Sequence, residues 1–96
     1  MIITKEILTD KIITFLNHEI QDTEFAIWAE NAMLNDEYEE KYFDTISDAL
    51  SRIGVINVKS FELKVADFLN ILINLEYMPT FGRKPYQNKK EKFMYI

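Results

Sequence analysis

Six carboxylates crowd residues 36–48: Asp36, Glu37, Glu39, Glu40, Asp44 and Asp48, with Tyr38 and Tyr42 set among them. Oxygen-rich clusters of this kind suit hard cations such as Ca²⁺ or Mg²⁺. The spacing does not suit them, because an EF-hand loop needs a glycine turn between alternating ligands and no glycine lies between residues 36 and 48. A carboxylate-bridged metal pair in a helical bundle wants Glu-x-x-His pairs, and the single histidine, His18, has Phe15 three residues before it. No metal site and no cofactor is therefore expected. If the run is helical, Glu37, Glu40, Asp44 and Asp48 follow i, i+3, i+7, i+11 and share one face. Like charges at such spacings repel by a few tenths of a kcal/mol per pair. Two readings of the run stand. It is a solvated face whose acids gain from the positive end of a helix, or a docking surface for a strongly basic partner with Tyr38 and Tyr42 as amphipathic anchors.

His18 sits beside Glu19, the arrangement of a general base held by a carboxylate. No serine, cysteine or second histidine accompanies it, so it reads instead as a residue marking the end of a helix, where partial positive charge is favourable. Phosphate loops, dinucleotide fingerprints, zincin motifs and nucleophile elbows are absent. There are no cysteines, which excludes disulfides, thiolate metal sites and cysteine nucleophiles. The chain reads as a non-enzyme.

The elements that must position these residues are helical. Only two glycines and two prolines occur, and both prolines and one glycine lie beyond residue 78. Thr4 is placed to cap a first helix running to about Asn17 or His18, with Leu8, Ile12, Phe15 and Leu16 as its apolar stripe. Asp22 is placed to cap a second, whose Phe25, Trp28, Ala29, Ala32 and Met33 sit at i, i+3, i+4, i+7, i+8; on that stripe Trp28 reads as a core aromatic. Asn35 and Asp36 are placed to cap a third, from Glu37 to Ile53, burying Tyr42, Phe43, Ile46, Ala49, Leu50 and Ile53. Gly54 falls where a left-handed C-cap is wanted. An extended connector over 55–61 packs Ile56, Val58 and Phe61 inward. A fourth helix occupies Phe61–Tyr77, so apolar that most of its circumference calls for cover. The expected fold is all-α: a four-helix antiparallel or orthogonal bundle over residues 1–78, followed by a basic tail over 79–96 that is disordered, a weak hairpin, or packed against the bundle.

Charge is divided along the chain. Residues 1–78 carry six Lys/Arg against fifteen Asp/Glu, a balance of −9, whereas 79–96 carry Arg83, Lys84, Lys89, Lys90 and Lys92 against Glu91 alone, a balance of +4. The acidic body disfavours nucleic acid and membrane surfaces and favours basic protein partners. The N-terminal segment lacks the uninterrupted apolar core of a signal peptide, and no run approaches the ~20 apolar residues of a membrane span. A soluble, cytoplasmic protein is the expectation.

The order of features over residues 4–77 resembles a family. An N-terminal helix precedes TEFAIWAENAM, then DEYEEKYF, ISDALSRIGVINVKSFEL and a last helix ending in LEY. This pattern, with Trp28-Ala29-Glu30, Arg52-Ile53-Gly54 and the Phe61–Tyr77 segment, resembles the small helical immunity proteins of bacterial contact-dependent growth inhibition and related polymorphic toxin systems. The resemblance implies a protein that binds and neutralises a cognate toxin domain, often a nuclease with a basic cleft. Asp36, Glu37, Glu39, Glu40, Asp44 and Asp48 would then meet the toxin's cations, with Tyr38 and Tyr42 as partly buried anchors. Two other functions fit the composition: a helical adaptor that seats a partner helix, and a homo-oligomeric structural protein.

Overall fold

The computed structural model describes residues 1–58 and 63–77. Thr4 opens the first helix as the sequence predicts: its backbone is extended, and its hydroxyl oxygen accepts the N–H of Ile7 at 3.2 Å. This helix, α1 (Lys5–Leu16), turns Leu8 and Ile12 fully inward and leaves Phe15 and Leu16 half-buried at the core edge. It stops at Asn17 through a Schellman motif, in which His18 adopts φ 63°. The N–H of His18 donates to Phe15 O at 2.9 Å and that of Glu19 to Thr14 O at 3.0 Å.

Helix α2 (Asp22–Asn35) starts one residue earlier than expected. Gln21 is the capping residue, and Asp22 is already helical, its carboxylate accepting only the adjacent Thr23 N–H at 3.0 Å. Phe25, Ala26, Ala29 and Ala32 are buried, Trp28 is half-buried against the core, and Met33 lies at the exposed margin.

The largest departure from expectation follows. The anticipated third helix does not begin at Glu37. Asp36 is extended, Glu37–Tyr38 form a strand (β2), and this strand pairs in parallel with Ile2–Ile3 (β1), Ile2 opposite Glu37 and Ile3 opposite Tyr38. The N–H of Glu37 donates to Met1 O at 3.0 Å and that of Glu39 to Ile3 O at 2.9 Å. Strand alternation buries Ile3 completely and leaves Ile2 exposed. A 3₁₀ turn over Glu40–Tyr42 leads into α3 (Phe43–Ile53), on which Ile46, Ala49, Leu50 and Ile53 face inward. Phe43 is in phase with them but half-exposed. At the first position of the helix its ring reaches Tyr38 (centroids 5.3 Å apart) and not the core.

Gly54 is not a left-handed cap. Its φ is −60° and ψ −19°, and the chain continues in tight right-handed turns to Val58, with Ile56 buried and Val58 exposed, contrary to the inward packing expected of Val58. What marks the position is close approach: a Cβ there would lie 2.9 Å from Met33 Cε, the far end of a flexible side chain, and 3.3 Å from Leu50 O. Phe61 and the tail over 79–96 lie outside the described residues.

Helix α4 (Val65–Asn74) is shorter than expected. The Lys64 side chain has no oxygen to offer the first turn, so half of a capping box forms: the Asp67 carboxylate accepts the Lys64 N–H at 2.9 Å. The helix ends in a second Schellman motif with Glu76 at φ 63°, closed by Tyr77 N–H to Leu72 O at 2.9 Å. Phe68, Ile71, Leu72 and Leu75 are buried, while Val65, Leu69 and Ile73 stay exposed among the described residues. Among the described residues, α1 and α3 cover one side of this helix.

Among the described residues the structure is mostly helical, with four α-helices and the two-residue parallel ladder. Its core lies among all four helices. Phe15, Phe25 and Phe68 meet there, with ring centroids 4.8, 5.5 and 6.3 Å apart, joining α1, α2 and α4. Helices α2 and α3 make the most extensive contact, permitted by Ala29, Ala32, Ala49 and Gly54. No helix among the described residues is long and apolar enough to cross a membrane.

Candidate functional site

The acidic run is divided by the fold into residues used internally and residues left facing solvent. Asp36 lies 3.7 Å from the Met1 amino group, at the junction of α2 and the ladder. The Glu39 carboxylate accepts the backbone N–H of Lys5 at 2.9 Å. Lys5 opens α1, so Glu39 satisfies a free amide and brings negative charge to the positive end of that helix. Tyr42 is buried; its hydroxyl lies 3.5 Å from Lys5 Nζ, and the ammonium groups of Lys5 and Lys41 sit 5.2 and 5.3 Å from its ring centroid. The Tyr42 hydroxyl raises the Lys5 pKa above the ordinary lysine value, desolvation opposes it, and the nearby charges of Glu76 and Glu6 add to the rise. Glu39 and Tyr42 therefore hold the segment after β2 to α1, and Asp36 meets the Met1 amino group at the start of β1. Three of the eight docking residues expected from sequence are committed to the fold.

The remaining five face outward in whole or part. Glu37, Glu40, Asp44 and Asp48 are exposed and Tyr38 is half-buried. They do not share a single helical face, because Glu37 is in β2, Glu40 in the 3₁₀ turn and only Asp44 and Asp48 in α3. Asp48 pairs at 3.8 Å with Arg52, which also reaches Asp67 of α4 at 3.6 Å. Such exposed pairs contribute at most about 1 kcal/mol each, and the Arg52–Asp67 pair ties α3 to α4. Phe43, assigned to the core from periodicity, instead stands half-exposed beside these acids, backed by Tyr38. No local signal would have found it, because Phe43 becomes the first residue of a helix only through the pairing of Glu37–Tyr38 with Ile2–Ile3.

His18 is exposed and serves as the left-handed residue after α1. Trp28 packs at the core edge, with its ring centroid 6.1 Å from that of Phe25 and 5.5 Å from Lys11 Nζ. Among the described residues no three His, Asp or Glu side chains gather into a metal-binding group. An open cleft of about 250 Å³ lies between the start of α1 and the end of α4, walled by Lys5, Glu6, Asp10, Glu76 and Tyr77 among others. Comparison with family models, curated proteins and solved structures finds no match.

Proposed function

We propose that this chain is an immunity protein, a cytoplasmic non-enzyme that neutralises a cognate bacterial toxin domain by docking an acidic surface on it. One observation carries the reading. Glu37, Glu40, Asp44 and Asp48 remain solvent-facing beside the half-exposed Phe43, on a body whose net charge over residues 1–78 is −9. Their setting is rigid: the ladder, the Glu39–Lys5 hydrogen bond and the buried Tyr42 fix the segment that presents them. Carboxylates held this way match the lysines and arginines with which a nuclease grips phosphate, and they steer association. Phe43 and Tyr38 supply the aromatic anchor that charged rims lack. The four helices are proposed to pack as an antiparallel or orthogonal bundle behind this surface, requiring no cofactor.

A helical adaptor is the second reading, supported by the exposed Val65, Leu69 and Ile73 of α4. Salt separates the two. The test is co-purification and titration with the C-terminal domain of any large secreted protein that the reading frame immediately upstream encodes. Tight binding that weakens steeply with salt, together with rescue of growth when both are expressed, supports the immunity function. Binding indifferent to salt and to charge reversal at Glu37, Glu40 and Asp44 would falsify it.

A further inference from the structure

Helix α4 carries a second apolar side. Val65, Leu69 and Ile73 are 62%, 40% and 59% exposed and follow i, i+4, i+8, a stripe about 12 Å long at 1.5 Å per residue. Exposed Ala66 widens it. At the C-terminal end of the same helix lies the cleft in which Glu6, Asp10 and Glu76 outnumber Lys5. Tyr77, on the wall of that cleft, is followed by residues 78–96, which combine Arg83, Lys84, Lys89, Lys90 and Lys92 with Phe81, Tyr86, Phe93 and Tyr95.

We propose that the exposed face of α4 is a dock for the chain's own segment 79–96. The left-handed Glu76 turns the chain at the end of α4, and Pro79 prevents the helix from resuming. The basic residues pass the acidic cleft, and the aromatic residues cover the stripe. Length permits this: Phe93 follows Tyr77 by 16 positions, a reach of up to about 50 Å when extended, several times the length of the stripe. Charge selects this occupant over a second copy. The body at −9 repels an identical body, whereas the segment at +4 is attracted to it and is held at high effective concentration by its covalent link. The docked segment would keep an apolar helix face out of water and the chain monomeric.

The test uses the full chain. Because the sequence has no cysteine, a Gln87→Cys variant takes a single nitroxide label, and the methyl groups of Val65, Leu69 and Ile73 report its approach. Expected is loss of their signal beyond that of exposed Ile2 and Ile27, with the loss reversed by Phe93→Ser plus Tyr95→Ser. Uniform broadening of all exposed methyls overturns the proposal, as does none. Equal loss when labelled, isotopically silent chains are mixed with unlabelled, methyl-enriched ones also overturns it, since a second copy then covers the face. None of these outcomes depends on the toxin partner.

Discussion

The Glu39 carboxylate accepts the backbone N–H of Lys5 at 2.9 Å, joining residues 34 positions apart. One acid of a conspicuous acidic run thus caps a helix that precedes it by half the described chain. The charge and the hydrogen bond contribute separately. Glu39→Gln keeps an acceptor and should cost about 0.3–1 kcal/mol through the dipole alone. Glu39→Ala should cost about 0.5–2 kcal/mol, as loss of a cap does. Urea midpoints at constant m-value measure both, and equal stability of Glu39→Ala and the parent would remove Glu39 from this role.

Gly54 tests space against backbone conformation. At φ −60° alanine is permitted, and it restricts the unfolded chain by about 0.4–1 kcal/mol in favour of folding. The opposing term is the Cβ at 2.9 Å from Met33 Cε, the free end of a flexible and partly exposed side chain that can swing away. Gly54→Ala should therefore change stability by less than about 1 kcal/mol. A loss of several kcal/mol on denaturation would instead indicate that Met33 cannot move aside for the added methyl group.

His18 and Glu76 occupy the left-handed position after α1 and α4 without being glycine, each at φ 63°. The left-handed conformation costs an L-residue roughly 1–2 kcal/mol, part of which glycine gives back through its freer unfolded state. His18→Gly and Glu76→Gly should each raise stability by about 0.5–1 kcal/mol. A fall in melting temperature for either would show that the side chain makes a compensating contact.

Phe25 touches both Phe15 and Phe68 and is fully buried. Its truncation to alanine removes the common member of an aromatic cluster joining three helices and should cost about 3–5 kcal/mol. Against a typical total of about 5–15 kcal/mol for a domain, this brings the chain close to unfolding at room temperature. Near-ultraviolet circular dichroism together with urea denaturation reads the loss. A change below 1 kcal/mol would mean that the site collapses around the missing ring.

The acidic residues should divide by function. Glu37→Lys, Glu40→Lys and Asp44→Lys together should leave stability almost unchanged and, on the proposed function, slow association with a basic toxin domain about tenfold or more at low salt. Asp36→Lys and Glu39→Lys lower stability, because their carboxylates sit against Met1 and Lys5. Stopped-flow association alongside denaturation separates the groups. If the first set unfolds the chain and the second does not, the division is wrong.

Sequence by itself determined the helices whose signals are local. Thr4 caps α1, the Phe25–Ala29–Ala32 spacing lays down the buried side of α2, and Ile46, Ala49, Leu50 and Ile53 do the same for α3. Each of these follows from hydrogen bonds or side-chain spacing within a few residues, so neighbours in the chain suffice to specify it. The division of charge between the body and residues 79–96 is equally plain in composition. Tertiary structure alone decided the region between α2 and α3. Glu37 and Tyr38 sit in a stretch with helical spacing, yet they form a strand because Ile2 and Ile3, some 35 positions earlier in register, offer a partner backbone. No local pattern records that pairing, since the ladder's hydrogen bonds join distant groups. Gly54 shows the same limit: the sequence marks it as special, but only the approach of Met33 from α2 reveals that room, and not a left-handed turn, is what it supplies. The acidic run was legible as a cluster; which acids it spends on the fold and which it presents to solvent depended on where the start of α1 came to rest.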